Sequence, residues 1–351
     1  MKPEEFKERA DRSLSALTWA EKDRQCVLDA LDKEAPKVKK VTTSFILIAA
    51  IVLISATALA GGLLTGFYRN VFGTGVKGQP EYTEEIKDED GNVVKTEPHP
   101  LMERVDVDEE LAEALTGPYI WSPDRSVTLG DYTVTLENAL FDKNGIGVLQ
   151  MRIANPNGHG LKRSWAEYGS DESLPLTVSV QRSEAEYPLL DDAAYVVEDT
   201  FTETEMEYVI YLTPMEKWTA DEKLTVCVDR FMGSEEAGYE VAMIPLDLEA
   251  LVPARAFAGN GLRAEVSPLG LSLTFESRPE GEVITERMTI RYADGSAFTV
   301  LDEHTVNLSL SSADWETQDQ WMAFNRLVNA DQITEIEIVT SEGSSILLPA
   351  E

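Results

Sequence analysis

The sequence predicts a mainly β chain with two tandem β-sandwiches, preceded by one transmembrane α-helix and a short α-helical segment. Three observations carry this expectation. Residues 41–67 hold no charged residue. From Ser126 onward the chain is a succession of short stretches in which apolar and polar residues alternate between turn residues. Charge is also lopsided about the apolar run. Residues 1–40 carry ten Lys and Arg against nine Asp and Glu, a balance of +1, so the total of -33 leaves -34 on the rest.

The first forty residues read as two short amphipathic helices. Phe6, Ala10, Leu14 and Leu17 fall at intervals of four, four and three, on one helical face. Thr18 and Glu21 form a capping box ahead of a second series, Trp19, Cys26, Val27, Ala30 and Leu31, which Pro36 stops. Two such helices cannot bury an apolar face by themselves. The stripe of Phe6, Leu14, Leu17, Trp19, Val27 and Leu31 is therefore the candidate partner-binding surface, although loose pairing of the helices or contact with a membrane surface would also cover it.

Residues 41–67 are long enough to cross a bilayer. Twenty-seven uncharged residues at about 1.5 Å rise give roughly 40 Å, against roughly 30 Å of hydrocarbon. Lys33, Lys37, Lys39 and Lys40 precede the run, whereas Arg69 and Lys77 alone follow within fifteen residues. The positive-inside rule then puts the N-terminus in the cytoplasm and residues from Tyr68 onward outside a cell membrane crossed once. A cleaved signal peptide is the competing reading, since Ala56 to Gly62 offers small residues at Ala-x-Ala spacing. Forty mixed-charge residues make a poor signal n-region, and the run exceeds the roughly 7–15 residues of a signal h-region, so an uncleaved anchor is expected.

Residues 68–125 read as an acidic stalk with a hairpin around Glu89 to Asn92 and a short helix that Asp108 caps and Gly117-Pro118 ends. Asp88, Asp90 and Asn92 lack the rest of a calcium loop and read as a solvated turn. The first sandwich is expected over 126–255, with "YTVTLENALF" and "GVLQMRIAN" flanking the turn "DKNG". "LVPARAFAGNG" (Leu251 to Gly261) interrupts the pattern, and a second sandwich is expected over 256–351, with a hairpin turn at Ala293 to Ser296.

Composition narrows the chemistry. An acidic surface of this size repels phosphate backbones, which excludes nucleic acid as a partner of the large part. Cys26 and Cys227 lie on opposite sides of the apolar run, so no disulfide framework is expected. His99, His159 and His304 are far apart, and no metal-ligand pair, nucleophile elbow or phosphate loop is present. The reading is of no enzyme, with no catalytic, metal or cofactor-binding residue. Trp165, Trp218, Trp315 and Trp321 are expected to pack in cores or at strand edges rather than to line a sugar site.

Two groups of motifs carry a resemblance. "LSALTWAEKDRQCVLDAL" ahead of a basic-flanked span ending in "ATALA", then "VTLGDYTVTLENALFDKNGIGVLQMRIAN", resembles the family catalogued as domain of unknown function 4179, described as anti-sigma-factor-like membrane proteins of Gram-positive bacteria. "LRAEVSPLGLSLTF", "YADGSAFTV" and "FNRLVNADQITEIEIV" look like the immunoglobulin-like C-terminal domain that accompanies it. The resemblance implies tandem immunoglobulin-like sandwiches outside, a cytoplasmic segment that holds a sigma factor, and an outer region that senses an envelope component. It carries over no catalytic residue. The cytoplasmic segment departs from zinc-type anti-sigma domains, because it lacks their His-x-x-x-Cys-x-x-Cys element. The alternative is an envelope-anchored binding or structural module with no regulatory cytoplasmic role.

Overall fold

The computed structural model of the chain describes residues 66–78, 81–87, 92–158, 176–182, 190–217, 223–231, 238–277, 285–341 and 343–351. The amphipathic stripe from Phe6 to Leu31 lies outside the described residues, as does the apolar run except for Gly66 and Phe67. Among the described residues no helix is long and apolar enough to cross a membrane.

The described chain is mainly β. It opens with a helix over 66–72 (α1), a two-stranded antiparallel hairpin of Tyr82–Lys87 (β1) and Val93–His99 (β2), and a helix Glu109–Thr116 (α2). Asp108 caps α2 by accepting the Leu111 N–H at 3.0 Å, which satisfies one of the orphan donors of the first turn. The strands that follow are β3 (Arg125–Leu129), β4 (Tyr132–Phe141), β5 (Gly147–Ala154), β6 (Leu176–Arg182), β7 (Leu190–Val196), β8 (Glu205–Pro214), β9 (Leu224–Phe231) and β10 (Tyr239–Leu246). They form two antiparallel sheets of order β3-β4-β5-β8-β7 and β10-β9-β6.

Alternation decides which face of each strand is buried. Leu224, Val226 and Val228 of β9 point to the same core as Leu149, Met151 and Ile153 of β5, and Cys227 between them faces the other way. The two sheets therefore share one apolar layer, which Leu136, Phe141 and Ile210 complete. A second, separate core follows. Its sheets are β11-β12-β13-β17-β16 and β15-β14-β18-β19. The strands are β11 (Arg255–Gly259), β12 (Leu262–Val266), β13 (Gly270–Phe275), β14 (Thr285–Tyr292), β15 (Ala297–Leu301), β16 (Leu308–Ala313), β17 (Gln320–Phe324), β18 (Ile333–Thr340) and β19 (Ser345–Pro349). Phe257, Val266, Leu271, Ile290, Phe324 and Ile336 meet in the middle.

The stretch read as an interruption, Leu251 to Gly261, contains strand β11 and its turn. Asn260 and Gly261 have φ of 52° and 78° between the paired residues Gly259 and Leu262. This two-residue Asn-Gly link has the backbone twist that suits an antiparallel pair. A Cβ on Gly261 would meet nothing within 4 Å, so substitution there costs backbone strain alone. Gly261→Ala is expected to destabilise the chain by ~1–2 kcal/mol. A lower urea midpoint with an unchanged slope is the expected readout.

The region read as a stalk begins inside the folded body. Phe67, Tyr68, Val71, Phe72 and Val76 are all buried, at most 2% exposed. At about 1.5–3 kcal/mol per large apolar side chain, their burial contributes on the order of 10 kcal/mol before chain entropy is subtracted. Acidic composition averaged over 68–125 hides this short apolar group. Beyond it the hairpin β1–β2 forms a sheet of its own, with Val93 and Val94 exposed.

Candidate functional site

The described residues bring their most connected polar groups to the seam where α1, the segment after β2 and both sheet pairs converge. Arg104 stands at its centre. Its guanidinium lies 5.4 Å from the ring centroids of both Tyr195 on β7 and Tyr211 on β8, an arrangement in which the ring faces stabilise the cation. Nη1 donates to Val71 O at 3.1 Å, to the Tyr211 hydroxyl at 2.8 Å and to Asn325 O at 3.1 Å. Nη2 donates to Ser309 Oγ at 3.2 Å, while Nε is buried without an acceptor. One side chain thus ties the entry helix, the first sheet pair and the second.

The tyrosines extend the knot. Tyr211 donates its hydroxyl to Val71 O at 2.5 Å, and Tyr195 donates to Ser309 O at 2.8 Å. Their rings meet edge to face at 5.5 Å. Burial pushes the Tyr195 hydroxyl up to about 12, against the opposing pull of the Arg104 charge, so it keeps its proton at neutral pH. Asn325, fully buried after β17, donates to Glu103 O at 2.8 Å. Arg326 lies 4.7 Å over the Phe298 ring and donates to Asn307 Oδ1 at 2.8 Å. Burial pulls its pKa down, with the Arg104 charge adding a smaller push in the same direction.

Local sequence explains how α1 enters this seam. Gly73 and Gly75 both donate their N–H to Arg69 O, which closes the helix in a tight turn. A Cβ on Gly75 would stand 2.1 Å from Asn70 Oδ1 and 2.8 Å from its Cα, so only glycine fits. Tyr68 donates to Glu113 Oε2 of α2 at 2.6 Å, and burial, then the Glu113 bond, raises its pKa. Val76 bridges to Val197 beyond β7. Arg69 pairs with Asp199 at 2.8 Å, but both side chains are more than half exposed, so that ion pair contributes little.

A second polar contact crosses the seam on the far side of β17. Asp142, in the turn between β4 and β5, is fully buried. Its Oδ1 accepts the N–H groups of Asn144 at 2.8 Å and Ile146 at 2.9 Å. Its Oδ2 accepts the hydroxyl of Ser267, from the turn between β12 and β13, at 2.6 Å. The connecting segment is pinned beside it, since Val252 N donates to Phe141 O and Lys143 N to Val252 O. Ser312 Oγ donates to Pro214 O from β16 to the end of β8.

The residues singled out in the sequence fall elsewhere. Phe6, Leu14, Leu17, Trp19, Val27 and Leu31 lie outside the described residues, as do His159, Trp165 and Trp218. His99 stacks on Tyr82 in the β1–β2 hairpin at 4.4 Å between ring centroids, and exposed His304 sits beside Glu303. Trp321 is buried, as expected, but Trp315 is 80% exposed at the turn between β16 and β17. This corrects the packing role expected for it: Asp314 closes the turn by accepting the Glu316 N–H, which leaves the intervening indole outside. Cys227 is buried and its thiol is held protonated by burial and by Asp229. Among the described residues no three His, Cys, Asp or Glu side chains are grouped to hold a metal ion.

The seam itself was invisible to residue patterns. Arg104 occurs in "LMERVDV", which reads as an acidic linker, and its partners are separated from it by 33 to 221 residues. The available signal was the apolar spacing of Phe67, Val71 and Phe72, which continues a helical stripe past the end of the uncharged run.

No protein-family model matches the chain, and no curated protein matches it. Among solved structures it is similar to a conserved domain protein from Bacillus anthracis, at 10% identity and a TM-score of 0.38, over 64% of this chain and 77% of that one. A likeness at that level carries no argument about function.

Proposed function

We propose that the chain is a single-pass membrane protein whose outer β region receives an envelope signal and whose cytoplasmic helices sequester a sigma factor. In this reading the two sheet pairs are tandem immunoglobulin-like sandwiches and the bilayer is crossed by the uncharged run. The supporting observation is the burial of Tyr68, Val71 and Phe72, with the Val71 carbonyl held by Arg104 and Tyr211. The first residues after the proposed anchor are thereby fixed to the head by packing and by Arg104 and Tyr211. A rearrangement of the head on binding would therefore act on the anchor directly, which a flexible tether would not allow. The cytoplasmic half rests on the unpaired amphipathic stripe in the sequence and on the family resemblance.

The test is affinity capture of the full-length chain from its own cells, alongside the double variant Leu17→Asp/Val27→Asp. Recovery of a sigma factor with the native chain, its loss with the double variant, and a rise in transcription of that factor's genes are expected. Capture of no sigma factor, with transcription unchanged in the double variant, would replace this reading with that of an anchored binding or structural module.

A further inference from the structure

Strand β10 is an edge of the sheet β10-β9-β6. It pairs with β9 in one uninterrupted register, from Tyr239 opposite Phe231 to Leu246 opposite Leu224. Pro245 fixes which way its backbone groups point. Proline has no N–H to give to β9, and the Pro245 carbonyl accepts Arg125 Nη1 of β3 at 3.0 Å. Every second residue counted back from it, Met243, Val241 and Tyr239, therefore directs its N–H and C=O away from β9. Among the described residues the outward backbone groups of Val241 and Met243 have no hydrogen-bond partner. The same alternation turns the side chains of Tyr239, Val241 and Met243 to one face, where they are 64%, 51% and 61% exposed, while Ala242, Ile244 and Leu246 pack on the first core.

Folded proteins blunt such an edge with a free charge, a proline, a bulge or a covering loop. From Tyr239 to Ile244 β10 has no proline and no bulge, and its one charged residue, Glu240, is held by Arg230 at 3.3 Å. β3 reaches this edge at the Pro245 end, where Arg125 also pairs with Asp247 at 2.7 Å. We propose that a second copy of this chain covers the rest, with its β10 laid antiparallel against the first so that the two sheets continue into each other. The pairing requires nothing of the apolar run and stands apart from the proposed function.

The strand is complementary to itself in one register. A two-fold axis at Val241 sets Val241 against its copy, Tyr239 against Met243 and Glu240 against Ala242. Val241 and its copy then exchange both backbone bonds, and each tyrosine ring lies beside a thioether. An axis at Ala242 would set Tyr239 against Pro245, which has no N–H to give and whose carbonyl Arg125 already holds. An axis at Glu240 would put two carboxylates opposite each other. The net charge of -33 opposes association, yet little of that repulsion falls at this contact. Glu240 and Asp247 are paired within their own chain. Asp229 stands opposite Val241 one strand in, so three strand spacings, about 14 Å, separate it from its copy, beyond the screening length of about 8 Å at physiological salt.

Sedimentation equilibrium of the full-length chain in a non-ionic detergent should show a dimer. Val241→Lys places two ammonium groups opposite each other at the axis and should weaken that dimer about tenfold, although it brings the net charge closer to zero. The Val241 side chain is half exposed, so the fold survives the change. Oxidative cross-linking then checks the register. Val241→Cys, combined with Cys26→Ser so that Cys26 takes no part, should link rapidly, because paired Cα atoms about 5.5 Å apart lie within the roughly 4.4–6.8 Å that a disulfide spans. Glu240→Cys in the same background is offset along the strand from its own copy and should link about tenfold more slowly. A monomeric chain, a dimer unweakened by Val241→Lys, or equal cross-linking at 240 and 241 would overturn the pairing.

Discussion

Arg104→Ala is expected to destabilise the contact between the entry helix and both sheet pairs by on the order of 3 kcal/mol. The variant removes four donated bonds and a cation stacked between two tyrosines. It leaves Val71 O with the Tyr211 hydroxyl alone and Asn325 O without its side-chain donor. Arg104→Lys should recover only part of the loss. An ammonium cannot lie flat between two rings while its donors reach carbonyls on opposite sides. Native-state hydrogen exchange is the suitable readout, because the two cores have separate residues and one global unfolding energy need not describe them. Amides of α1 should lose protection, while those in the middle of β5 and β13 keep theirs.

Phe72→Ala should cost more, about 3–5 kcal/mol. Phe72 is 1% exposed, and removal of a buried phenyl ring leaves a cavity in addition to the lost transfer energy. Tyr68→Phe offers a contrast at nearly constant volume. It removes only the hydroxyl that bonds Glu113, so about 1 kcal/mol is expected. The ratio of the two losses distinguishes a packed entry segment from one held mainly by polar contacts. Limited proteolysis between α1 and β1 should accelerate sharply in Phe72→Ala and barely in Tyr68→Phe.

The strands were legible because a sheet with one buried face writes its geometry into every second residue. "LRAEV" shows the point: Leu262, Ala264 and Val266 are buried and Arg263 and Glu265 are not. The turn at Ala293 to Ser296 was legible for a local reason, since Asp294 accepts both the N–H and the hydroxyl of Ser296. β11 was hidden by Pro253, Gly259 and Gly261, which break alternation in the sequence, although its end is an Asn-Gly turn of the favoured kind. Arg255 extends that strand by donating to three carbonyls between Ala330 and Ile333, partners no local pattern reports.

The seam was illegible for a deeper reason. A charged residue in an acidic segment reads as solvated, and only the folded chain shows Arg104 between Tyr195 and Tyr211. Asp142 was correctly placed in a turn by "DKNG", yet its bond to Ser267 spans 125 residues. Periodicity encodes which face is buried; it does not encode which distant group meets a given polar atom.

Hydrogen exchange of residues 67–76 in the full-length chain tests most directly whether the entry segment and the β head form one body. The packing of Phe67, Tyr68, Val71, Phe72 and Val76 predicts protection factors there comparable to those of β4 and β8. Exchange at nearly unprotected rates in 67–76, with β4 and β8 still fully protected, would contradict it.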